Sequence, residues 1–195
     1  MDYTLSFGKK IGSGTNCEVY RFRFGNFFDM VVKKYRVYNL HLARKVFKVN
    51  VEIREILEKR NVNVPHVYLI CPFFGGLIVE KFVGVSIRDY ARNRNLNPEI
   101  LKECKKIIMR LPQNIPLDTN PGNFVVNDVR HIYFVDFMPP NPWMFIRNKN
   151  RRDLFEKFFP QTRLVETDPD MKDRYLKNPK RLQKFEYYLQ KFWQV

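Results

Sequence analysis

An α+β fold, with a β-rich front over residues 1–84 and a mainly helical back half over residues 85–195, follows from three features of the sequence. Short apolar–polar alternations separated by glycine-rich turns fill most of the front. One long helical period interrupts them, and helical spacing dominates after Gly84 apart from a single hairpin. At 195 residues, with 45% hydrophobic and 15% aromatic content, the chain can bury a real core as one compact domain or two small lobes.

The elements read in order. Leu5 to Lys34 gives three antiparallel strands: "LSFGKKI", the turn-rich "GSGTN", "CEVYRFRF", a Gly25-Asn26 turn, and "FFDMVVKK". From Asn39 the spacing of Leu42, Val46, Val49, Ile53, Ile56 and Leu57 predicts a helix that runs to the break at Asn61–Pro65. "HVYLICPFFGGLIVEKFV" predicts two more strands about Gly75-Gly76, completing a five-stranded sheet with one long helix. "SIRDYARNR" is weakly helical. Asn97 is an N-cap ahead of Pro98 at the first helical position, and Ile100, Leu101, Cys104, Ile107, Ile108 and Leu111 line that helix's inner face. The last helix repeats the Asn-Pro start at Asn178-Pro179 and carries Leu182, Phe185, Leu189, Phe192 and Trp193 as an apolar stripe.

Cys17, Cys71 and Cys104 are odd in number and form no Cys-x-x-Cys pair, so the sequence implies neither a disulfide framework nor a zinc site, and a reducing cytoplasm fits. The start Met1-Asp2-Tyr3 lacks the basic flank and apolar run of a secretory signal. "VYLICPFFGGLIV" contains Pro72, Gly75 and Gly76 and is too short to span a bilayer, so no membrane partner is expected. Charge is the strongest compositional feature: 35 Lys and Arg against 20 Asp and Glu give +15. A polyanionic partner is one reading of that excess, and a solubilising surface is the other.

The chemistry concentrates in "LDTNPGNFVVNDVRHIYFVDF", Leu117 to Phe137. With Asn127 to His131 as the loop, Val126 faces Ile132, and counting back along both strands brings Asn123 to within one residue of lying opposite Asp136. Two hard oxygen ligands at one end of a hairpin suit Mg²⁺, which takes one or two protein ligands and keeps its other positions for water and phosphate. Asp118, five residues before Asn123, is an acceptor for a hydroxyl proton in the same neighbourhood; a purely structural turn is the competing reading. Upstream, Gly12, Ser13 and Gly14 sit between two strands, where small residues let backbone amides approach phosphates, although an ordinary hairpin turn has the same composition. "MVVKK" ends a strand with Lys33. Glu52 lies nearer the apolar face of the following helix than Glu55 or Glu58, placing it to pair with Lys33, or on the surface with Lys48.

In this order (glycine loop, strand lysine, helix glutamate, "GLIVEKFVG", Asp-x-x-x-x-Asn, Asp-Phe) the chain from about Phe7 to Met138 resembles the protein-kinase-like superfamily. The resemblance implies a two-lobe fold with a minimal, mainly helical back lobe. It implies that Lys33 contacts the α and β phosphates of ATP, or of GTP, while Glu52 holds it. Asp118 would orient or deprotonate the acceptor hydroxyl, Asn123 and Asp136 would hold Mg²⁺, the backbone at Glu80 and Phe82 would meet the adenine edge, and Val79 would stand behind the base. Cys17 in place of the third loop glycine, Pro116-Leu117 before Asp118 and Met138 after Asp-Phe depart from eukaryotic protein kinases. Nothing after Met138 resembles an activation segment. In these respects the chain is similar to the RIO kinases and to the small atypical kinase of the KEOPS complex, and "LDTNPGNFVV" also looks like the catalytic loop of aminoglycoside phosphotransferases.

The acceptor is read from charge. Arg44, Lys45 and Lys48 form a helical stripe, and further clusters occur at Arg88, Arg92 and Arg94, at Arg147, Lys149, Arg151 and Arg152, and at Lys177, Lys180, Arg181 and Lys184. Basic surfaces spread along a catalytic domain suit an extended phosphate backbone, and structured RNA offers a 2′-hydroxyl. A small, strongly basic kinase-like chain resembles the archaeal RNA kinases that phosphorylate a tRNA ribose 2′-hydroxyl. The expected activity is therefore RNA phosphorylation in the cytoplasm, with an atypical serine/threonine protein kinase, a small-molecule kinase and a non-catalytic nucleotide- or RNA-binding module as alternatives. The sequence indicates no protein partner and sets no oligomeric state.

Overall fold

A computed structural model describes residues 8–13, 17–24, 28–35, 40–71, 77–93, 97–115, 117–136 and 176–193. The chain divides into two compact units: Met1–Val49 with Pro65–Phe82, and Asn50–Val64 with Val83–Val195. Among the described residues no helix is long and apolar enough to cross a membrane.

The first unit is built on a five-stranded antiparallel sheet, as the sequence predicts. Its strands are β1 (Lys10–Ser13), β2 (Cys17–Phe24), β3 (Phe28–Tyr35), β4 (Val67–Cys71) and β5 (Leu77–Lys81), ordered β1-β2-β3-β5-β4. Helix α1 (Leu40–Glu58) follows β3. β3 alternates at its end, with Lys33 and Tyr35 buried and Lys34 exposed, because one sheet face meets the core. Tyr35 meets Phe47 of α1 edge to face, ring centroids 5.8 Å apart, and Ile78 of β5 is fully buried opposite Lys33.

Two expectations for this unit change. The first strand was expected over Leu5 to Ile11 with a turn from Gly12. Instead β1 begins at Lys10 and carries Gly12 and Ser13 in register with Val19 and Glu18, after a shift of register between Lys10 and Gly12. An added residue on one strand displaces everything after it, so part of the expected turn becomes strand. The second change concerns the expected division at Gly84. It falls within α1 as well, because Ile53 and Leu57, together with Val62 and Val64, are buried residues of the second unit.

α1 ends cleanly. Asn61 adopts a left-handed φ of 55°, and the amides of Asn61 and Val62 return to the carbonyls of Glu58 and Leu57. The segment beyond then lies along the second unit's small sheet: Phe134 N–H donates to Asn63 O at 2.9 Å and Asn63 Nδ2 donates to Ile132 O at 3.2 Å. These bonds cover an edge strand that would otherwise expose its backbone.

That sheet has three antiparallel strands, β6 (Val85–Ser86), β7 (Phe124–Val126) and β8 (Ile132–Phe134), in that order. The hairpin register pairs Val126 with Ile132 and Phe124 with Phe134, in agreement with the sequence reading. Asn127 closes its loop, accepting from His131 N–H at 2.7 Å through its side chain, while Arg130 takes a φ of 62°. β6 was not foreseen, since the sequence is helical from this point. Val85 and Ser86 pair with Val126 and Val125 before α2 (Ile87–Asn93) begins.

α3 (Pro98–Arg110) has the expected start, with Asn97 Oδ1 accepting from Glu99 N–H at 2.8 Å. Its inner residues Ile100, Cys104, Ile107 and Ile108 are buried, as is Leu111. Burial pushes the Cys104 thiol up to about 12, which makes it a core residue and not a nucleophile. α4 (Asn178–Trp193) packs against α2 and α3 and buries Phe185 and Leu189, and Lys105 of α3 pairs with Glu186 at 2.6 Å.

Candidate active site

The segment from Leu117 to Asn123 alternates between core and exposed chemistry. Leu117 and Thr119 are fully buried and Pro121 is buried, whereas Asp118, Asn120, Gly122 and Asn123 are partly exposed. The buried residues anchor the segment, and the polar ones shape it through their own side chains. Asp118 Oδ1 accepts from Asn120 N–H at 3.0 Å and Asn120 Oδ1 accepts from Gly122 N–H at 3.0 Å, giving two consecutive Asx turns. Pro121–Asn123 then closes one turn of 3₁₀ helix that delivers the chain into β7.

Asn123 is held from two directions. Its side-chain Nδ2 donates to Asp118 O at 2.9 Å, and its carbonyl accepts from Val135 N–H at 3.0 Å. The first bond uses the donor end of the amide and leaves Oδ1 as the available oxygen. The second extends the β7–β8 register by one position, so Asp136, which is exposed, is the next residue beyond the one facing Asn123. The counting made from the sequence holds: Asp118 and Asn123 share a hydrogen-bonded loop, and Asp136 stands one residue from Asn123's opposite position.

α4 contributes what the sequence did not reveal. Lys184 Nζ lies 2.8 Å from Asp118 Oδ1, with the lysine side chain only 10% exposed. Three residues earlier, Arg181 is fully buried and donates to Pro112 O at 3.1 Å, Ile115 O at 2.6 Å and Asn178 Oδ1 at 2.9 Å. Its own carbonyl accepts from Thr119 Oγ1 at 2.9 Å. Burial pushes the Arg181 guanidinium down to about 9, and these acceptors offset the desolvation that causes it. α4 thus grips the chain at Pro112 and Ile115, at Asp118 and at Thr119 immediately after it.

This corrects the reading of Arg181 as an RNA contact: a guanidinium committed to two carbonyls and an amide inside the core cannot meet a phosphate. Lys184 likewise leaves the basic cluster. Of the other residues placed on RNA, Lys48 and Lys180 are exposed, as is Lys177, three residues before Lys180. Arg44 and Lys45 fall on α1, but their side chains lie outside the described residues, as do Arg147, Arg151 and Arg152 entirely.

In the first unit Lys33 is buried, and its ammonium pairs with Glu80 at 2.9 Å, Glu80 being 2% exposed. The register explains the pairing, because Lys33 faces Ile78 and Val31 faces Glu80, so lysine and glutamate project from one sheet face a single diagonal step apart. Strand alternation on β5 carried this signal in the sequence. Glu52, the expected partner, is partly buried on the portion of α1 that belongs to the second unit.

The two residues whose backbone is expected to meet adenine lie near the end of β5 and just beyond it. Glu80 sits in the sheet interior between Val31 and Val67, and the Phe82 amide already donates to Asp29 O at 2.9 Å. An amide has one hydrogen to give, so Phe82 does not present it to a base edge in this arrangement. The Phe82 ring is capped by Arg21, whose guanidinium carbon lies 3.6 Å from its centroid and whose Nε donates to Asp29 Oδ1 at 2.8 Å. Val79 is partly buried and faces Val32. Gly12 and Ser13 are strand residues of β1, and Gly14 lies outside the described residues.

Mg²⁺ is the group that the Asn123–Asp136 pair implies. One amide oxygen and one carboxylate suit an ion that completes its shell with water and phosphate. Among the described residues no group of three or more His, Cys, Asp or Glu could hold a metal ion by itself. Compared with known proteins, the chain matches no protein-family model and no curated protein.

Proposed function

We propose that this chain is an ATP-dependent phosphotransferase that places a phosphoryl group on a hydroxyl of structured RNA, with a tRNA ribose 2′-hydroxyl as the acceptor. The observation that carries the reading is the hydrogen-bonded Asp118–Asn123 loop running into a hairpin whose register brings Asp136 to the same end. The turn itself uses Asp118 Oδ1 and Asn123 Nδ2, and leaves Asp118 Oδ2 and Asn123 Oδ1 at the end of the hairpin that also carries Asp136.

Within this reading each side chain has a task. Asp118 Oδ1 is occupied by Lys184 and Asn120 N–H, which leaves Oδ2 to take the hydrogen bond of the acceptor hydroxyl and aim its oxygen. Asn123 and Asp136 hold Mg²⁺, which supplies neutralisation of phosphate charge when bound. Lys33, oriented by its ion pair with Glu80, contacts the nucleotide phosphates. The chemistry is positioning and charge stabilisation, with no covalent intermediate on the protein.

RNA is favoured as the acceptor by the net charge of +15 and by the exposure of Lys48, Lys177 and Lys180. The test is incubation with γ-labelled ATP, Mg²⁺, total tRNA and a mixture of proteins. Label is expected on RNA and lost in Asp136→Ala. Label confined to protein would move the chain to the atypical protein kinases, and full transfer by Asp136→Ala would remove the site.

A further inference from the structure

We infer that Lys184 is a positioning residue for phosphoryl transfer: from the C-terminal helix it holds the Asp118 carboxylate in its working orientation and supplies a positive charge beside the acceptor hydroxyl. This rests on the phosphotransferase reading and names a residue outside the sequence constellation that suggested it. Lys184 comes from α4, more than sixty residues beyond Asp118, and reaches it at 2.8 Å with a side chain 10% exposed.

Three observations separate this role from simple attachment of the helix. First, α4 is already attached: Arg181 donates to Pro112 O, Ile115 O and Asn178 Oδ1, Thr119 bonds to the Arg181 carbonyl, and Phe185 and Leu189 are buried. Taking a lysine almost wholly out of water for attachment alone would add desolvation without need. Secondly, the ammonium meets Asp118 on Oδ1, the oxygen that also accepts the Asn120 amide. Two donors on one oxygen fix the rotation of the carboxylate and reserve Oδ2 for the acceptor. Thirdly, Leu117 to Val126 contains no lysine or arginine, so a cation at Asp118 has to come from another element, and α4 supplies it. A charge within hydrogen-bonding reach of the group that orients the acceptor is worth most in a site that excludes water.

The experiment compares wild-type protein, Asp118→Asn, Lys184→Met and Lys184→Arg. It measures kcat and KM for γ-label transfer from ATP to total tRNA, MgATP binding by calorimetry, and thermal unfolding. Lys184→Met is expected to fold, to bind MgATP as wild type does, and to lose about 100-fold in kcat with KM for ATP unchanged. Lys184→Arg, which keeps the charge, is expected to recover at least about tenfold of that loss. A folded Lys184→Met with wild-type kcat, beside an inert Asp118→Asn, would overturn the inference and leave the phosphotransferase standing. Wild-type protein inert toward RNA, protein and water as acceptors would remove both. Should Lys184→Met not fold, the arginine variant decides: folded and active it supports the role, folded and as inert as Asp118→Asn it refutes it.

Discussion

Replacing Phe185 by alanine tests how the helix that grips the Asp118 loop is itself held. Phe185 is fully buried on α4, and its ring meets Phe124 edge to face with centroids 5.3 Å apart and an interplanar angle of 77°. Phe124 in turn lies 5.1 Å from Phe134, so three rings join α4 to both strands of the hairpin. Removing a buried phenyl ring costs about 3–5 kcal/mol, from lost transfer free energy and the cavity left behind. The aromatic contact itself accounts for about 0.5–1.5 kcal/mol of this. Phe185→Leu keeps most of the apolar volume and is expected to lose only about 1–1.5 kcal/mol. Against a total stability of roughly 5–15 kcal/mol, the alanine change is severe. Urea unfolding reads the difference: with a slope of about 2 kcal/mol/M, the midpoint should fall by roughly 1.5–2.5 M for alanine and by well under 1 M for leucine. Because Asn123 immediately precedes Phe124, MgATP affinity should fall in the alanine variant at temperatures where it remains folded. An alanine variant within about 1 kcal/mol of wild type, or a leucine variant as damaged as alanine, would refute the packing argument.

Further changes test other parts of the fold. Gly84 has a φ of 134°, and a Cβ there would stand 2.1 Å from Val126 O, so Gly84→Ala should break the β6–β7 pairing and lower stability by at least about 2–3 kcal/mol in the same urea assay. Asn97→Ala should remove the α3 cap and cost about 1 kcal/mol, with Asn97→Ser largely neutral by thermal unfolding. The hydrogen bonds from Arg21 hold the Asp29 carboxyl below its ordinary range, so its contribution is present above the unfolded value and lost as pH falls through the folded one. The stability gap between wild type and Asp29→Asn should accordingly narrow in strong acid, and a gap that widens there would contradict the pairing.

How much of this was legible depends on whether a neighbour in sequence or a neighbour in space decides the outcome. The Asn97 cap and the Val126–Ile132 register depend on residues close in the chain, and both are as read. Strand β6 is only two residues long, too short to establish a period, and exists because β7 offers it an edge. Glu80 stands beside Lys33 through strand register, which the order of elements alone does not convey. The bond from the Phe82 amide to Asp29 O depends on how far β3 extends alongside the end of β5, which local sequence does not convey.

The same distinction governs the charge. A net +15 counts every cation alike, yet Lys33 is paired with Glu80, Arg21 with Asp29, Lys184 with Asp118, and Arg181 is enclosed by carbonyls. On α4 the solvent-facing and inward-facing cations alternate within two turns: Lys180 is exposed, Arg181 is buried and Lys184 is nearly so. Helical spacing held the clue, since Arg181 stands one turn before Phe185, on the face that enters the core. The consequence can be measured in the salt dependence of tRNA binding, where each phosphate contact contributes roughly 0.7–0.9 to the slope of log affinity against log salt. Lys180→Gln should flatten that slope by about one contact, whereas Lys184→Met should leave it unchanged even as it weakens transfer. A slope reduced by Lys184→Met would show its ammonium facing RNA, and the division between inward and outward cations on α4 would be wrong.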